Sequence, residues 1–457
     1  MNSITLKNFR CFREEQTARL APLTLLVGEN STGKTSFLAM MRALWDVCYR
    51  ERIPDFKEEP YDLGSFDEIA HHRGGRGGRA HSFEAGFNID DSRRSNGDEA
   101  QSYRFNMTFG KDRSAPVLRK IKFSRDDVWF EVRYADQSQE ICFGAKGCGW
   151  ITKSPQIGPS FIDDRLSFFF WYDWTFRNRD DLKSRAEPLT KSDPMKPAND
   201  ELKRIEELGK VFREVGFRGA SGRPYASAPV RSKPRRTYDP SRQKPEDPEG
   251  DDLPMYLSSL SHPDQKRWDR LRWNRLKKAL EDFGKEAGLF DEIHIRHLGK
   301  RDSEPFQVQV RKSGRRLKGP RRNLIDVGYG VSQALPVITE LLEEDAPPMF
   351  LLQQPEVHLH PSAQAALGSL FCQVANSDRQ LLVETHSDHL LDRVRMDVRD
   401  SASDLKPDDV SILFFERNDL DVRIHSLGFD EEGNVIGAPD SYGKFFMEET
   451  RRSLWKR

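Results

Sequence analysis

The sequence predicts an α/β fold: a mixed sheet flanked by helices, interrupted by a helical and loop-rich insertion. Three observations predict it. An apolar run, Leu23 to Val27, empties into the Gly/Ser/Thr-rich stretch Gly28 to Ser36, and Phe37, Leu38, Met41, Leu44, Trp45 and Cys48 then recur at helical spacing. Late in the chain, two short buried runs, Met349–Leu352 and Gln380–Glu384, flank a helical pattern carrying Leu367, Leu370, Phe371 and Val374. Finally, 36% of the 457 residues are hydrophobic and 32% charged, enough apolar material for a core beneath a charged surface.

Taken in order, Ile4, Leu6, Phe9 and Phe12 read as a first strand, and the strand–loop–helix unit follows. Residues 51–156 are strand-like with Arg/Gly-rich turns. Between about 178 and 300 the character changes. A charged helical piece, Asn199 to Phe217, leads into the Pro/Arg/Asp/Ser-rich stretch Gly219 to Asp252, read as an irregular loop, and then a second helical piece, Pro263 to Phe283. From His294 onward α/β patterning returns. Phe306, Val308 and Val310 suggest a strand, Ala334 to Leu342 a helix, and Val410–Phe415 with Val422–Ile424 a hairpin. The expected organisation is three stretches: 1–180, 181–300 and 301–457. No repeat and no long heptad pattern is present.

Lys+Arg and Asp+Glu are both 73, so no global field draws the chain to nucleic acid or membrane. The N-terminus lacks a signal-peptide apolar region, and the longest apolar run, Phe168 to Tyr172, is too short to span a bilayer. The expectation is no membrane association. Five scattered cysteines with no CxxC pair suit a reducing cytoplasm better than a zinc ribbon or a disulfide framework.

Gly28-Glu29-Asn30-Ser31-Thr32-Gly33-Lys34-Thr35 is a complete GxxxxGK[ST] phosphate loop, and Ser36 follows it. Its glycines let backbone N–H groups and the helix N-terminus face phosphates. Lys34 is expected at the β/γ-phosphates and the Thr35 hydroxyl on Mg²⁺, so ATP and Mg²⁺ are the expected cofactors. Far downstream, Phe350-Leu351-Leu352-Gln353-Gln354-Pro355-Glu356 is an apolar strand ending in polar residues, where such sheets handle metal and attacking water. A third strand ends in Glu384-Thr385-His386-Ser387, and a histidine there can reach a γ-phosphate or orient a water.

Together with Asn8-Phe9-Arg10, read as a strand, these segments resemble the ABC-type ATPase heads of the RecF/SMC group. They are most similar to the AAA ATPases akin to the ATPase half of OLD-family (overcoming lysogenization defect) proteins. Pro229-Val230-Arg231 and the turn Asp430 to Asn434 add to the likeness. The resemblance implies a P-loop NTPase of ABC-ATPase head type, with 1–180 and 301–457 as its two lobes and 181–300 as a partner or sensor surface. It implies Arg10 among the nucleotide-binding residues. It also makes Asp326-Val327-Gly328-Tyr329-Gly330-Val331-Ser332-Gln333 the signature, with Gly328 and Gly330 as a second anion cradle. In such families two heads meet head-to-tail, so Ser332 would act in trans on the γ-phosphate of the other copy. On the residues alone, the alternative to the signature reading is that 328–333 is merely a helix N-terminus capped by Ser332.

One departure stands out. The family usually carries a carboxylate where Gln353 stands, holding the Mg²⁺ shell, and often Glu where Gln354 stands. An amide orients water but takes up no proton, and losing a general base costs about 10²–10⁴-fold. Either turnover is slow or Glu356 or His386 substitutes; slow turnover, with ATP as a clamp closing a dimer, is the favoured expectation. OLD-type nucleases add a Toprim domain, and the chain closes at Arg457, too soon after His386 for one. The expected function is therefore an ATPase that forms homodimers or larger homo-oligomers and gates a separate effector, such as a nuclease, in bacterial defence. The alternatives are a RecF-like repair clamp on duplex DNA and a non-hydrolysing ATP-binding scaffold.

Two further groupings have competing meanings. His358, His360, His386 and His389 could form a metal site, although the first two sit in the inter-subunit segment. Arg73–Arg79, Arg231–Lys244 and Arg311–Arg322 suit nucleic-acid phosphates or simply solvated loops, and Arg231 or Arg235 also stands as a candidate to approach the nucleotide or the partner head.

Overall fold

The computed structural model describes residues 1–50, 54–75, 77–91, 101–135, 138–153, 179–217, 223–240, 249–262, 266–299, 301, 304–314 and 316–443. The chain forms two compact units, each made of non-contiguous segments rather than of three consecutive stretches. One comprises residues 1–20, 29–223 and 415–424; the other comprises 21–28, 224–414 and 425–457.

The strands of the N-terminal half are β1 (Ser3–Lys7), β2 (Gln16–Arg19), β3 (Leu23–Gly28), β4 (Ser82–Asp91), β5 (Gln101–Asp112) and β6 (Ala115–Arg125). They continue with β7 (Val128–Ala135), β8 (Ser138–Ala145), β9 (Cys148–Lys153) and β10 (Glu187–Pro188). Helices α1 (Lys34–Arg50), α2 (Phe66–Ile69), α3 (Arg179–Arg185) and α4 (Asn199–Phe217) accompany them.

The first unit is organised by an antiparallel sheet ordered β10-β9-β8-β7-β6-β5-β4-β1-β2. Alternation produces it: Phe83, Ala85 and Phe87 on β4, Tyr103 to Phe109 at every second position on β5, and Phe130 and Val132 on β7 are buried. The stripe Leu202, Ile205, Leu208 and Val211 is buried on α4, which packs on β7 and β8. Phe83 lies at the middle of an aromatic cluster, with ring centroids 5.9 Å from Phe9, 5.8 Å from Phe56, 5.9 Å from Phe66 and 5.0 Å from Phe109.

The expected strand at Asn8-Phe9-Arg10 is a turn instead. Asn8 and Arg10 have φ of +53° and +46°, and Phe9 and Phe12 exchange backbone hydrogen bonds of 3.0 and 2.8 Å. The buried phenylalanines sustain an alternation that the backbone does not follow.

In the second unit lie β11 (Tyr225–Ser227), β12 (Glu292–His297), β13 (Phe306–Ser313), β14 (Lys318–Asn323), β15 (Met349–Gln353) and β16 (Gln380–Glu384). The last strands are β17 (Val410–Asn418), β18 (Asp421–Phe429) and β19 (Val435–Ile436). Its helices are α5 (Leu253–Ser261), α6 (Arg267–Glu286), α7 (Tyr329–Leu342), α8 (Pro361–Val374) and α9 (Asp388–Arg399).

The sheet that positions the site is ordered β11-β15-β16-β3-β17-β18-β19. Pairs β11/β15, β15/β16 and β16/β3 are parallel. Leu351, Leu352, Leu381, Leu382, Val383, Leu25 and Leu26 are fully buried, as the continuous apolar runs require of strands covered on both faces. Strands β12, β13 and β14 form a separate antiparallel sheet.

The loop expected over 219–252 contains β11, a short edge strand that the proline and arginine content concealed. The helix expected from Pro263 begins at Arg267, residues 263–265 lying outside the described ones, and a further helix, α5, precedes it. The apolar run Phe168–Tyr172 also lies outside them. Among the described residues no helix is long and apolar enough to cross a membrane.

Phe83→Ala is expected to cost about 3–5 kcal/mol, because the void opens among four rings that cannot collapse onto it; denaturant unfolding measures this, and a loss below about 1 kcal/mol would contradict the packing described.

Candidate functional site

The phosphate loop leaves β3 at Gly28. Gly28, Ser31 and Gly33 have φ of +142°, +61° and +87°, so the backbone curls within a few residues. A Cβ on Gly33 would meet Cys11 Sγ at 2.5 Å and Phe12 Cζ at 3.0 Å; the 8–12 turn is the floor of the loop. The Cys11 thiol donates to the Thr32 carbonyl at 3.6 Å, and burial pushes its pKa up to about 11. Lys34 Nζ and the Thr32 hydroxyl both donate to the Glu29 carbonyl, at 2.7 and 2.8 Å, and the Arg417 guanidinium donates to the Ser31 carbonyl. Glu29, Asn30, Ser31 and Thr35 are exposed, whereas Thr32, Lys34 and Ser36 are buried. Arg10 donates to the Ser36 hydroxyl at 3.1 Å and to the Leu63 carbonyl at 3.0 Å, tying the start of α1 to the adjoining loop.

The strand ends of the second unit carry the remaining candidate residues. Gln353 on β15 is in register with Glu384 on β16, and Glu384 with Leu26 on β3, two residues before Gly28. Thr385 N–H donates to the Leu26 carbonyl at 3.1 Å and Gln354 N–H to the Glu384 carbonyl at 2.8 Å, extending this alignment past the strands. Gln353 is 4% exposed; its N–H faces the Ser227 hydroxyl at 3.4 Å, and its buried Nε2 has no hydrogen-bond partner among the described residues. Gln354 takes φ +41°, turning the chain sharply after the strand.

Glu356 is 6% exposed. The Thr385 hydroxyl and His386 N–H both donate to its Oε1 at 2.8 Å, while its buried Oε2 has no hydrogen-bond partner among the described residues. Burial pushes its carboxyl above the usual range, opposed by those two hydrogen bonds. Glu356 therefore fixes the backbone that presents His386, whose side chain is exposed. Ser387 caps α9 by accepting from Leu390 N–H at 3.0 Å and donates to Gln364 Oε1 at 2.6 Å.

Gly328, not Ser332, is the N-cap of α7. Gly328 and Tyr329 are exposed, and a Cβ on Gly328 would meet nothing within 4 Å. Gly330 is different: a Cβ there would lie 2.5 Å from the His358 carbonyl. Ser332 is 7% exposed, and its hydroxyl donates to the Tyr329 carbonyl at 2.8 Å. Pro336 sits inside α7 and offers no N–H to the carbonyl one turn earlier.

One buried residue escaped the sequence reading of the site, and a second was left without a definite place. Glu384 places a carboxylate one strand from Gln353, signalled only by its position before Thr385-His386-Ser387. Arg231, which sequence left between nucleotide, partner head and solvated loop, is buried within the second unit against Gln333 and Gln353. Its neighbour Arg235 pairs with Asp251 at 3.2 Å, and Arg236 pairs with Asp326 at 2.6 Å.

The histidines do not converge. His358 packs edge-on to Tyr329 at 5.1 Å and His360 accepts from Ser362 N–H at the start of α8. Among the described residues no group of three or more His, Cys, Asp or Glu could hold a metal ion. The basic run 311–322 lies on β13 and β14, where Arg311 and Lys318 face Glu292 at 3.0 and 3.2 Å and Lys312 faces Asp291 at 3.8 Å. Three of its cations are thus paired, two of them sharing the Glu292 carboxylate.

The loop geometry and its glycine cradle fit a nucleotide's phosphates, and the Thr35 hydroxyl and the Gln353 amide are neutral oxygen donors of the type Mg²⁺ accepts. Among solved structures, the chain is similar to an Smc head bound to the C-winged helix domain of ScpA (TM-score 0.44, 11% identity, covering 93% of this chain and 98% of that one). It is also similar to an Smc head domain with an extended coiled coil, bound to the C-terminal domain of ScpA, from Pyrococcus furiosus (0.42, 10%, 98% and 99%). A third is the SMC head domain from Thermotoga maritima (0.37, 11%, 93% and 98%). No curated protein matches. The family model described as "AAA domain, putative AbiEii toxin, Type IV TA system" matches residues 23–392, most of the sequence. The chain belongs to that AAA-domain family.

Proposed function

We propose that the chain is an ABC-type ATPase that binds ATP with Mg²⁺, turns it over slowly, and uses the bound nucleotide to close two copies head-to-tail. The observation that carries this reading is the alignment of strand ends: Gln353, Glu384 and Leu26 stand in register, and the phosphate loop begins two residues beyond the last. Lys34 would hold the β/γ-phosphates, the Thr35 hydroxyl and the Gln353 amide would hold Mg²⁺, and Gln354 and His386 would orient water and phosphate. Glu356, with one oxygen committed to Thr385 and His386, holds the switch histidine in place more readily than it serves as a water-facing base.

With an amide at 353 no carboxylate would help hold the metal there, and with an amide at 354 no general base stands beside the water, so turnover would be slow. The exposed start of α7, Gly328 to Gly330, faces the second copy's phosphates as a helix N-terminus. Ser332 contributes from beneath that turn. Closure gates a separate effector, a nuclease being the type we favour; the family description, which names a toxin of a type IV system, supports a setting of this kind. The pairing of Arg311, Lys312 and Lys318 with acids gives the duplex-DNA clamp less support.

Lys34→Ala is expected to weaken binding of a fluorescent ATP analogue by at least about 100-fold, since a charge-assisted phosphate contact is lost; unchanged affinity would refute the loop assignment. Gly328→Glu is accommodated sterically within one chain but sets a carboxylate where phosphate should arrive. It should leave nucleotide affinity intact and abolish ATP-dependent association in sedimentation; association at the wild-type level would remove the head-to-tail arrangement. Gln353→Glu should raise phosphate release about 10-fold or more over wild type, with Lys34→Ala as the background; an unaltered rate means the amide is not what slows turnover.

A further inference from the structure

Residues 231–232 and 333 hold one another by main chain and side chain at once. Arg231 N–H donates to Gln333 Oε1 at 3.1 Å, and Gln333 Nε2 donates back to the carbonyls of Arg231 and Ser232 at 3.3 and 3.2 Å. The Gln333 amide thus acts as a short stretch of strand pairing. The Arg231 guanidinium, 2% exposed, then forks between two elements: Nη1 donates to the Gln333 carbonyl on α7 at 3.0 Å, and Nη2 to the Gln353 carbonyl at the end of β15 at 3.4 Å.

This is an unusual place for a cation. Burial disfavours the guanidinium's charge, and both groups it is seen to bond are carbonyls rather than carboxylates. The carboxylate that acts on it electrostatically is Glu356, which is itself committed to Thr385 and His386. Its buried Nε has no hydrogen-bond partner among the described residues. A methionine or leucine would fill the same space at less cost, so what the arginine supplies is the two-ended connection.

We infer that Arg231 is a positioning residue that links the first turns of α7 to the end of β15, so that a displacement at the signature turn is passed to Gln353. The inference rests on the proposed nucleotide site. Arg231 bonds both the signature helix and the phosphate-side strand end directly. With Arg231 between them, docking of a second copy on Gly328–Gly330 moves the residue that faces the metal.

The test uses the full chain with mant-ATP. Arg231→Met keeps the aliphatic stem and removes both donors; Arg231→Lys keeps the charge but cannot serve two carbonyls with fixed geometry. Both should bind mant-ATP within about 3-fold of wild type while phosphate release falls about 100-fold, the signature of lost positioning rather than lost binding. ATP-dependent slowing of amide hydrogen exchange over residues 329–335 should disappear in both. Folded variants that keep wild-type release and exchange protection would reduce Arg231 to a packing element and overturn the link. If wild-type turnover is too slow to measure, exchange protection alone decides. Should Arg231→Met not fold, Gln333→Leu removes the amide clasp and is expected to uncouple in the same way, with retained protection again overturning the proposal. If wild type binds no more mant-ATP than Lys34→Ala, the nucleotide reading itself fails and takes the link with it.

Discussion

The parallel register of β15, β16 and β3 is the constraint on which the rest depends. Parallel strands with one register deliver their carboxyl ends to one edge, and here that edge receives Gln353, Glu384 and, two residues past Leu26, the first glycine of the phosphate loop. A slip of one residue in β15 would turn Gln353 to the opposite face and replace it with Leu352. The apolar runs forbid this slip less by alternation than by their ends, where buried leucines give way to polar residues that need partners. Thr385 and Gln354 supply two of these partnerships, to the carbonyls of Leu26 and Glu384.

Polar groups sunk beneath that edge convert alignment into geometry. Glu356, Arg231 and Gln353 are all nearly inaccessible, and each leaves one polar atom unsatisfied. Buried polar groups of this kind are expensive unless paired, so partly paired ones mark places where function outweighs stability. The loop is organised differently. Its strain is concentrated in positive-φ residues, and the 8–12 turn beneath it, with Cys11 against Gly33, fixes how deeply it can sit.

What sequence disclosed follows from which interactions are local. The phosphate loop, α1, the strand at 349–353 and the helix at 361–374 are set by short-range periodicity and glycine placement, and each appears where the pattern puts it. Asn8-Phe9-Arg10 misled because buried phenylalanines in a turn mimic the spacing of a strand. Strand β11 was invisible because three residues carry no period, and only the edge of β15 makes them a strand. The inward turn of the Ser332 hydroxyl onto the Tyr329 carbonyl was likewise not legible, because a motif records residue type and not exposure. Arg231 hid in a basic stretch for the same reason. Its partners lie 102 and 122 positions away in sequence, beyond any local signal.

Pro336 gives the signature helix an uneven stiffness. The carbonyl of Ser332 is the one that an ordinary residue at 336 would have bonded, so the ladder is missing a rung just where the first turns meet the helix body. A missing bond there makes bending between the first turns and the helix body cheaper than elsewhere along α7. The Arg231 guanidinium, bonded to the Gln333 carbonyl beside that gap, is then the contact that would carry such a bend to the end of β15.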